Sequence, residues 1–152
     1  MLKILQYLNL LALFLVGLTT ASASEQCTPT PERPMGNSHI PNVAAFKVDI
    51  GRGLVMQGRV LSAIDCKPIE DAVIEHWQAG NQGTYQNHLR AFTFSLPDGA
   101  YRFETEWPNM SVPHIHFIVT ANNYSKLVTQ WIPDEQTDKA TFDLVLKPAL
   151  SF

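Results

Sequence analysis

The chain has 152 residues, 45% of them hydrophobic and 16% charged, which is one domain's worth of sequence with enough apolar side chains for a packed core. Its 11 Lys and Arg against 14 Asp and Glu give a formal charge of −3 with no basic run, so nucleic acid is excluded as the expected partner. Aromatic residues at 10% exclude a disordered chain, and the 10 Pro and 8 Gly are scattered rather than gathered into a low-complexity linker.

Residues 1–23 read as a secretory signal peptide. Lys3 supplies the positive start, Leu8 to Leu18 the apolar run, and Ala21-Ser22-Ala23 a small-x-small cleavage site. The run is shorter than the ~20 residues that span a bilayer, so no membrane association is expected after cleavage. Location is then outside the cell or in the periplasm. In that oxidising setting the only two cysteines, Cys27 and Cys66, are expected to pair as a disulfide.

Residues 24–53 form an arm. Pro29, Pro31, Pro34 and Pro41 oppose a helix there and favour extended backbone. Strands are then predicted over 54–62, 71–78, 91–95, 100–106, 114–120, 125–131 and 140–147, with turns at Asp65-Cys66-Lys67-Pro68 and Pro97-Asp98-Gly99. No window after the leader has a helical period. Seven short strands predict an all-β domain over 54–152, a β-sandwich of two mainly antiparallel sheets.

The chemistry-bearing residues are few. His114 and His116 stand two apart in a predicted strand, so both imidazoles point to one face while Ile115 and Phe117 point to the other. The pair is either a two-pronged metal grip or a polar strand face with two solvated histidines. Tyr85 follows the Gly80–Gly83 loop. It is a turn or core tyrosine, or a ligand to a cation acidic enough to displace its proton, as ferric iron is. His39 on the arm, His76 beside Trp77 and His88 after Tyr85 read as surface histidines, with His76 facing solvent or a polar cleft. No nucleophile triad, phosphate loop or dinucleotide fingerprint is present.

Three stretches, in order, resemble the intradiol ring-cleavage dioxygenases, the catechol and protocatechuate 3,4-cleaving enzymes. The first runs from Gly58-Arg59-Val60-Leu61 through Cys66-Lys67-Pro68-Ile69 and Ala72-Val73-Ile74-Glu75-His76-Trp77 to Gly83-Thr84-Tyr85. The second is Pro97-Asp98-Gly99-Ala100-Tyr101-Arg102-Phe103. The third is Pro113-His114-Ile115-His116-Phe117 followed by Thr129-Gln130. The opening Cys27-Thr28-Pro29-Thr30-Pro31-Glu32 is similar to the secreted branch of that family.

The resemblance implies a β-sandwich holding non-haem Fe(III), with a small aromatic diol and O2 as substrates and opening of the catechol ring. It implies Tyr85, His114 and His116 as metal ligands and Gln130 as a residue near the substrate. The family's second tyrosine ligand and its neighbouring arginine belong just before the histidine pair. Here Pro108-Asn109-Met110-Ser111-Val112-Pro113 has neither. Tyr101 reads as core and Tyr124 lies in an Asn-rich turn. Water, His39, His88 or a partner molecule is left to complete the coordination, and copper or zinc becomes the alternative to iron. A chain of this length is expected to be a monomer or a simple homo-oligomer.

Overall fold

The computed structural model describes residues 27–150, and the leader predicted over 1–23 lies outside them. Nine strands are present and no helix appears among the described residues. They are β1 (Ala45–Phe46), β2 (Leu54–Ser62), β3 (Val73–Ala79), β4 (Tyr85–Phe94), β5 (Ala100–Thr105), β6 (Ile115–Thr120), β7 (Leu127–Trp131), β8 (Lys139–Thr141) and β9 (Leu144–Leu146). Consequently no described helix is long and apolar enough to cross a membrane.

One sheet has the order β1-β4-β3-β6-β7, and the other β5-β2-β8, with β9 also pairing β2. The pairs β2–β5, β3–β4, β3–β6 and β6–β7 are antiparallel. The three short strands β1, β8 and β9 pair in parallel, so both sheets are mixed.

Alternation decides which side chains meet between the sheets. Ile74 of β3, Ile115, Phe117 and Val119 of β6, and Leu127 and Trp131 of β7 face Leu54, Met56 and Val60 of β2 and Tyr101 and Phe103 of β5 in one apolar cluster. Their burial at about 25 cal/mol per Å2 of apolar surface is the main force holding the layers together.

Several expectations change in detail. The strand predicted over 91–95 starts six residues earlier, so Tyr85 and His88 lie in a strand rather than a loop. The segment 140–147 is two strands, both alongside β2, because the ladder is irregular between Thr141 and Leu144: Phe142 N donates to Gln57 O, but at Asp143 it is the side-chain carboxylate that accepts from Arg59 N. His76 faces neither solvent nor a polar cleft. Strand parity puts it with Ile74 on the inner face, 0% exposed and stacked on Phe103 with centroids 3.6 Å apart.

The N-terminal segment crosses the outside of the larger sheet. Cys27 is joined to Cys66 by a disulfide. Thr30 N donates to Val145 O, and Arg33 N donates to Val128 O on the free edge of β7. The chain then passes over β6 and β3 before Ala45–Phe46 pairs with β4. That path covers the sheet face on which the histidine pair stands.

Candidate metal centre

Four paired residues cross four strands in one line. Arg90 on β4 is the register partner of Trp77 on β3, Trp77 of His116 on β6, and His116 of Gln130 on β7. Register partners share a face, so all four side chains lie on the outer face of the larger sheet, under the N-terminal segment.

Tyr85 reaches that face through an irregularity in β4. Ala79 pairs with Tyr85 and Trp77 with Arg90, so Gln86 to Leu89 stand opposite Gln78 alone. Tyr85 and Arg90 are an odd number of residues apart and would face opposite ways in a regular strand. The bulge absorbs the difference and re-aims Tyr85. Its hydroxyl then lies 3.1 Å from His114 Nε2 and 3.1 Å from His116 Nε2, with the two Nε2 atoms 3.0 Å apart.

Neighbouring groups fix these rings. His114 Nδ1–H donates to Val112 O at 2.8 Å, which leaves the Nε2 lone pair turned to the cluster. Trp77 lies flat against His116, and its Nε1–H donates to Ser38 Oγ. Gln130 Nε2 donates to Pro34 O at 2.9 Å and lies 3.2 Å from His116 Nδ1. Gly36, at φ 72, brings the arm close: a Cβ there would sit 3.4 Å from His116 Cε1, in a conformation that glycine adopts freely.

Electrostatics suit a neutral donor set. Burial, and then the charges of His114, Arg90 and His39, push His116 down to about 4, so its ring is uncharged at neutral pH. With Gln130 donating to His116 Nδ1, the proton of that ring sits on Nε2. The cluster is thus bridged by two protons, those of Tyr85 and of His116.

Three donors about 2.0–2.1 Å from one cation lie about 2.9 Å apart at right angles and about 3.4 Å apart at tetrahedral angles. The observed separations of 3.0 and 3.1 Å fall between these values, so one phenol oxygen and two imidazole nitrogens fit a single cation in place of the two protons. No group of three or more His, Cys, Asp and Glu able to hold a metal occurs among the described residues; the cluster depends on its tyrosine.

The structure brings together Tyr85, His114 and His116, with Gln130 behind His116. It sends the other candidates elsewhere. His39 bonds Glu75 Oε1 at 2.9 Å and packs on Trp77, and His88 lies 3.6 Å from Glu106. Tyr101 donates from the core to Phe142 O, and Tyr124 bridges to Pro148. The segment 106–113 is tied to the loop after β3, where the Asn109 side chain donates to Asn81 O and Asn81 N donates to the Glu106 carboxylate. A separate groove of about 720 Å3 lined by Phe46, Val48, Phe94, Leu96, Tyr101 and Arg102 contains none of the three donors. The residues missed from the sequence were Arg90, Trp77 and Ser38. Cross-strand register places Arg90 and Trp77 here, and the path of the N-terminal segment brings Ser38 to Trp77; neither is legible before folding.

No family model matches the chain. Among curated proteins it is 32% identical over 111 residues to catechol 1,2-dioxygenase 2 of Acinetobacter lwoffii, covering 54% of this chain and 40% of that protein. It is 27% identical over 164 residues to a chlorocatechol 1,2-dioxygenase of Cupriavidus pinatubonensis, covering 79% of this chain and 62% of that one. The chain therefore spans about two fifths to three fifths of the length of these curated relatives.

Among solved structures, the dioxygenase domain of a dioxygenase–carbohydrate-binding fusion from Streptomyces sp. SirexAA-E superposes with a TM-score of 0.72 at 23% identity. The match covers 80% of this chain and 100% of that domain. A hydroxyquinol 1,2-dioxygenase from Pseudomonas putida superposes at 0.69 with 17% identity, covering 82% and 68%. These superpositions establish the intradiol dioxygenase fold. The sequence relatives and the fold neighbours point to the same family as the motifs.

Proposed function

We propose that this chain is an exported metal protein of the intradiol dioxygenase kind, in which Tyr85, His114 and His116 hold a ferric ion that binds a catechol-type diol for ring opening by O2. One observation carries the reading: a phenol oxygen and two imidazole nitrogens, from β4, from β6 and from the residue just before β6, converge to within 3.1 Å of one another. Export is supported by the apolar leader-like run and by the Cys27–Cys66 disulfide, a bond that persists in oxidising compartments.

A ferric ion bound there supplies the Lewis acidity that favours the ionised diol and enriches the ring for attack by O2. The chain's own residues do the rest. Tyr85 gives up its proton and becomes the anionic donor. Val112 O holds His114 in the tautomer that leaves Nε2 free. Trp77 and the arm exclude water from one side of His116. His116 ligates through Nε2 once its proton has moved to Nδ1. Gln130 then turns its amide oxygen toward that proton and gives up Pro34.

The test is the visible spectrum of the ferric-loaded protein. A tyrosinate-to-iron band that disappears in Tyr85→Phe, together with O2 uptake on addition of catechol, is the expected result. A folded, iron-loaded protein with no such band sinks the reading.

The absence of Tyr and Arg between Trp107 and His114 favours a second reading, a copper or zinc protein of the same fold without ring cleavage. Tight zinc or copper binding that excludes iron, with no O2 uptake, would select it.

A further inference from the structure

Apolar side chains gather where the chain crosses between the two sheets. Residues 45–50 are stitched to both: Lys47 N donates to Phe92 O on β4, Glu104 N on β5 donates to Val48 O, and Ile50 N donates to Glu104 O. The crossing sets Phe46 and Val48 beside Phe94 and Leu96, and these four line the groove of about 720 Å3. They are four of the nine large apolar side chains that stand exposed among the described residues, and Phe46 and Leu96 are each 59% exposed. Contiguous apolar surface on a folded domain marks an interaction site. The Phe46 ring stands 5.8 Å from Phe94 and 6.0 Å from Phe92, centroid to centroid. The patch is thus already packed, and it has little side-chain freedom left to lose on association.

The other wall of the groove is charged. Gln57 of β2 is the register partner of Arg102 of β5, and Arg59, two residues on, shares their face. Both arginines line the groove. Each is held loosely by an acid of its own chain, Arg59 at 3.8 Å from Asp98 and Arg102 at 3.9 Å from Glu104, and both are more than half exposed. Two charges of each sign beside one apolar strip form a surface complementary to its own two-fold image. A strongly acidic or strongly basic partner would meet repulsion from half of these charges. A small ligand inside the groove would leave the outer faces of Phe46 and Leu96 wet.

We propose that this groove is the contact surface of an isologous dimer. Two copies of the chain meet across a two-fold axis, with Phe46, Val48, Phe94 and Leu96 at the centre of the contact and the Arg59, Asp98, Arg102 and Glu104 charges at its rim. Every residue of the patch is used twice, so a modest strip of apolar surface covers a doubled area. The groove contains none of Tyr85, His114 and His116. The dimer and the metal reading therefore stand or fall separately.

The experiment is sedimentation velocity of the purified metal-free protein over about 1–100 µM, beside the double variant Phe46→Ser, Leu96→Ser and the single variant Arg102→Glu. Wild type is expected to dimerise with a Kd of about 10 µM or tighter. The double variant is expected to weaken the dimer at least about 30-fold, and Arg102→Glu about ten-fold, both with wild-type circular dichroism. A wild-type protein that stays monomeric at about 100 µM overturns the proposal. If that monomer also enhances the emission of 1-anilinonaphthalene-8-sulfonate, and the double variant does not, the groove takes a small apolar ligand instead. A dimer that neither variant weakens overturns the proposal as well, because the contact then lies elsewhere. Should the double variant fail to fold, Arg102→Glu on the exposed face of β5 decides: an unchanged Kd overturns the proposal and a ten-fold loss upholds it.

Discussion

The Trp77 indole lies parallel to the His116 imidazole, with 3° between the planes and 4.8 Å between the centroids. The other two tryptophans, Trp107 and Trp131, pack edge to face against each other and against the core. Trp77 is therefore a built-in reporter of the centre. Titration with Fe(III) or Cu(II) is expected to quench tryptophan emission, and Trp77→Phe is expected to lose most of that quenching. Equal quenching in Trp77→Phe would show that the metal binds elsewhere.

Gln130 joins the arm to His116, through Pro34 O on one side and the imidazole Nδ1 on the other. Residues in this position orient a ligand and set its tautomer, and their loss costs about 10–100-fold in metal affinity. Gln130→Ala should weaken binding by that factor in a competition assay against a chelator, with little change in the melting point of the metal-free protein. The opposite pattern, lower stability with unchanged affinity, would assign Gln130 to holding the arm.

His76 has both ring nitrogens buried without a partner. Burial alone pushes it down to about 3. The unfolded chain takes up this proton near the ordinary value of about 6.5, whereas the folded chain refuses it. Between those values the unfolded state binds more protons, so stability falls as pH drops from 6.5 toward 3. His76→Leu removes two unsatisfied polar atoms. It should raise the unfolding free energy by about 1–2 kcal/mol at pH 7 and flatten the decline in acid. Denaturant melts at pH 7 and pH 4.5 check both parts, and parallel pH profiles for the two proteins would count against the assignment.

The Cys27–Cys66 bond closes a loop with a sequence separation of 39 and pins the start of the arm to the turn after β2. On the chain-entropy account a loop of that length is worth about 4 kcal/mol. The double variant Cys27→Ser, Cys66→Ser is expected to melt well below wild type. It should also bind metal more weakly, because Pro34, Gly36 and Ser38 reach His116, Gln130 and Trp77 from the freed segment. Dithiothreitol should destabilise the wild type and leave the variant unmoved.

What the sequence discloses depends on whether the signal is local. His114 and His116 share a face because residues two apart in any strand do, and β2 could be read to its ends because its apolar and turn residues are contiguous. Tyr85 reads as a loop residue in sequence because the bulge opposite Gln78 has no local signature beyond the glycines before it. His76 reads as an exposed residue in sequence because a polar residue between apolar ones suggests exposure, and only sheet packing shows that position 76 faces Phe103. Arg90 carried no local signal. It reaches this face only by standing opposite Trp77, thirteen residues away in sequence.

The line from Arg90 through Trp77 and His116 to Gln130 runs across the strands rather than along any one of them. Tyr85 meets the histidine pair only across β3. The centre consequently has no counterpart in a partly folded chain: a slip of register between any two of these strands dismantles it. Pairings between residues far apart in sequence form slowly. On the proposed metal reading, capture is thereby timed to the end of folding, and an emerging or unfolded chain offers passing metal ions a histidine pair but no finished clamp.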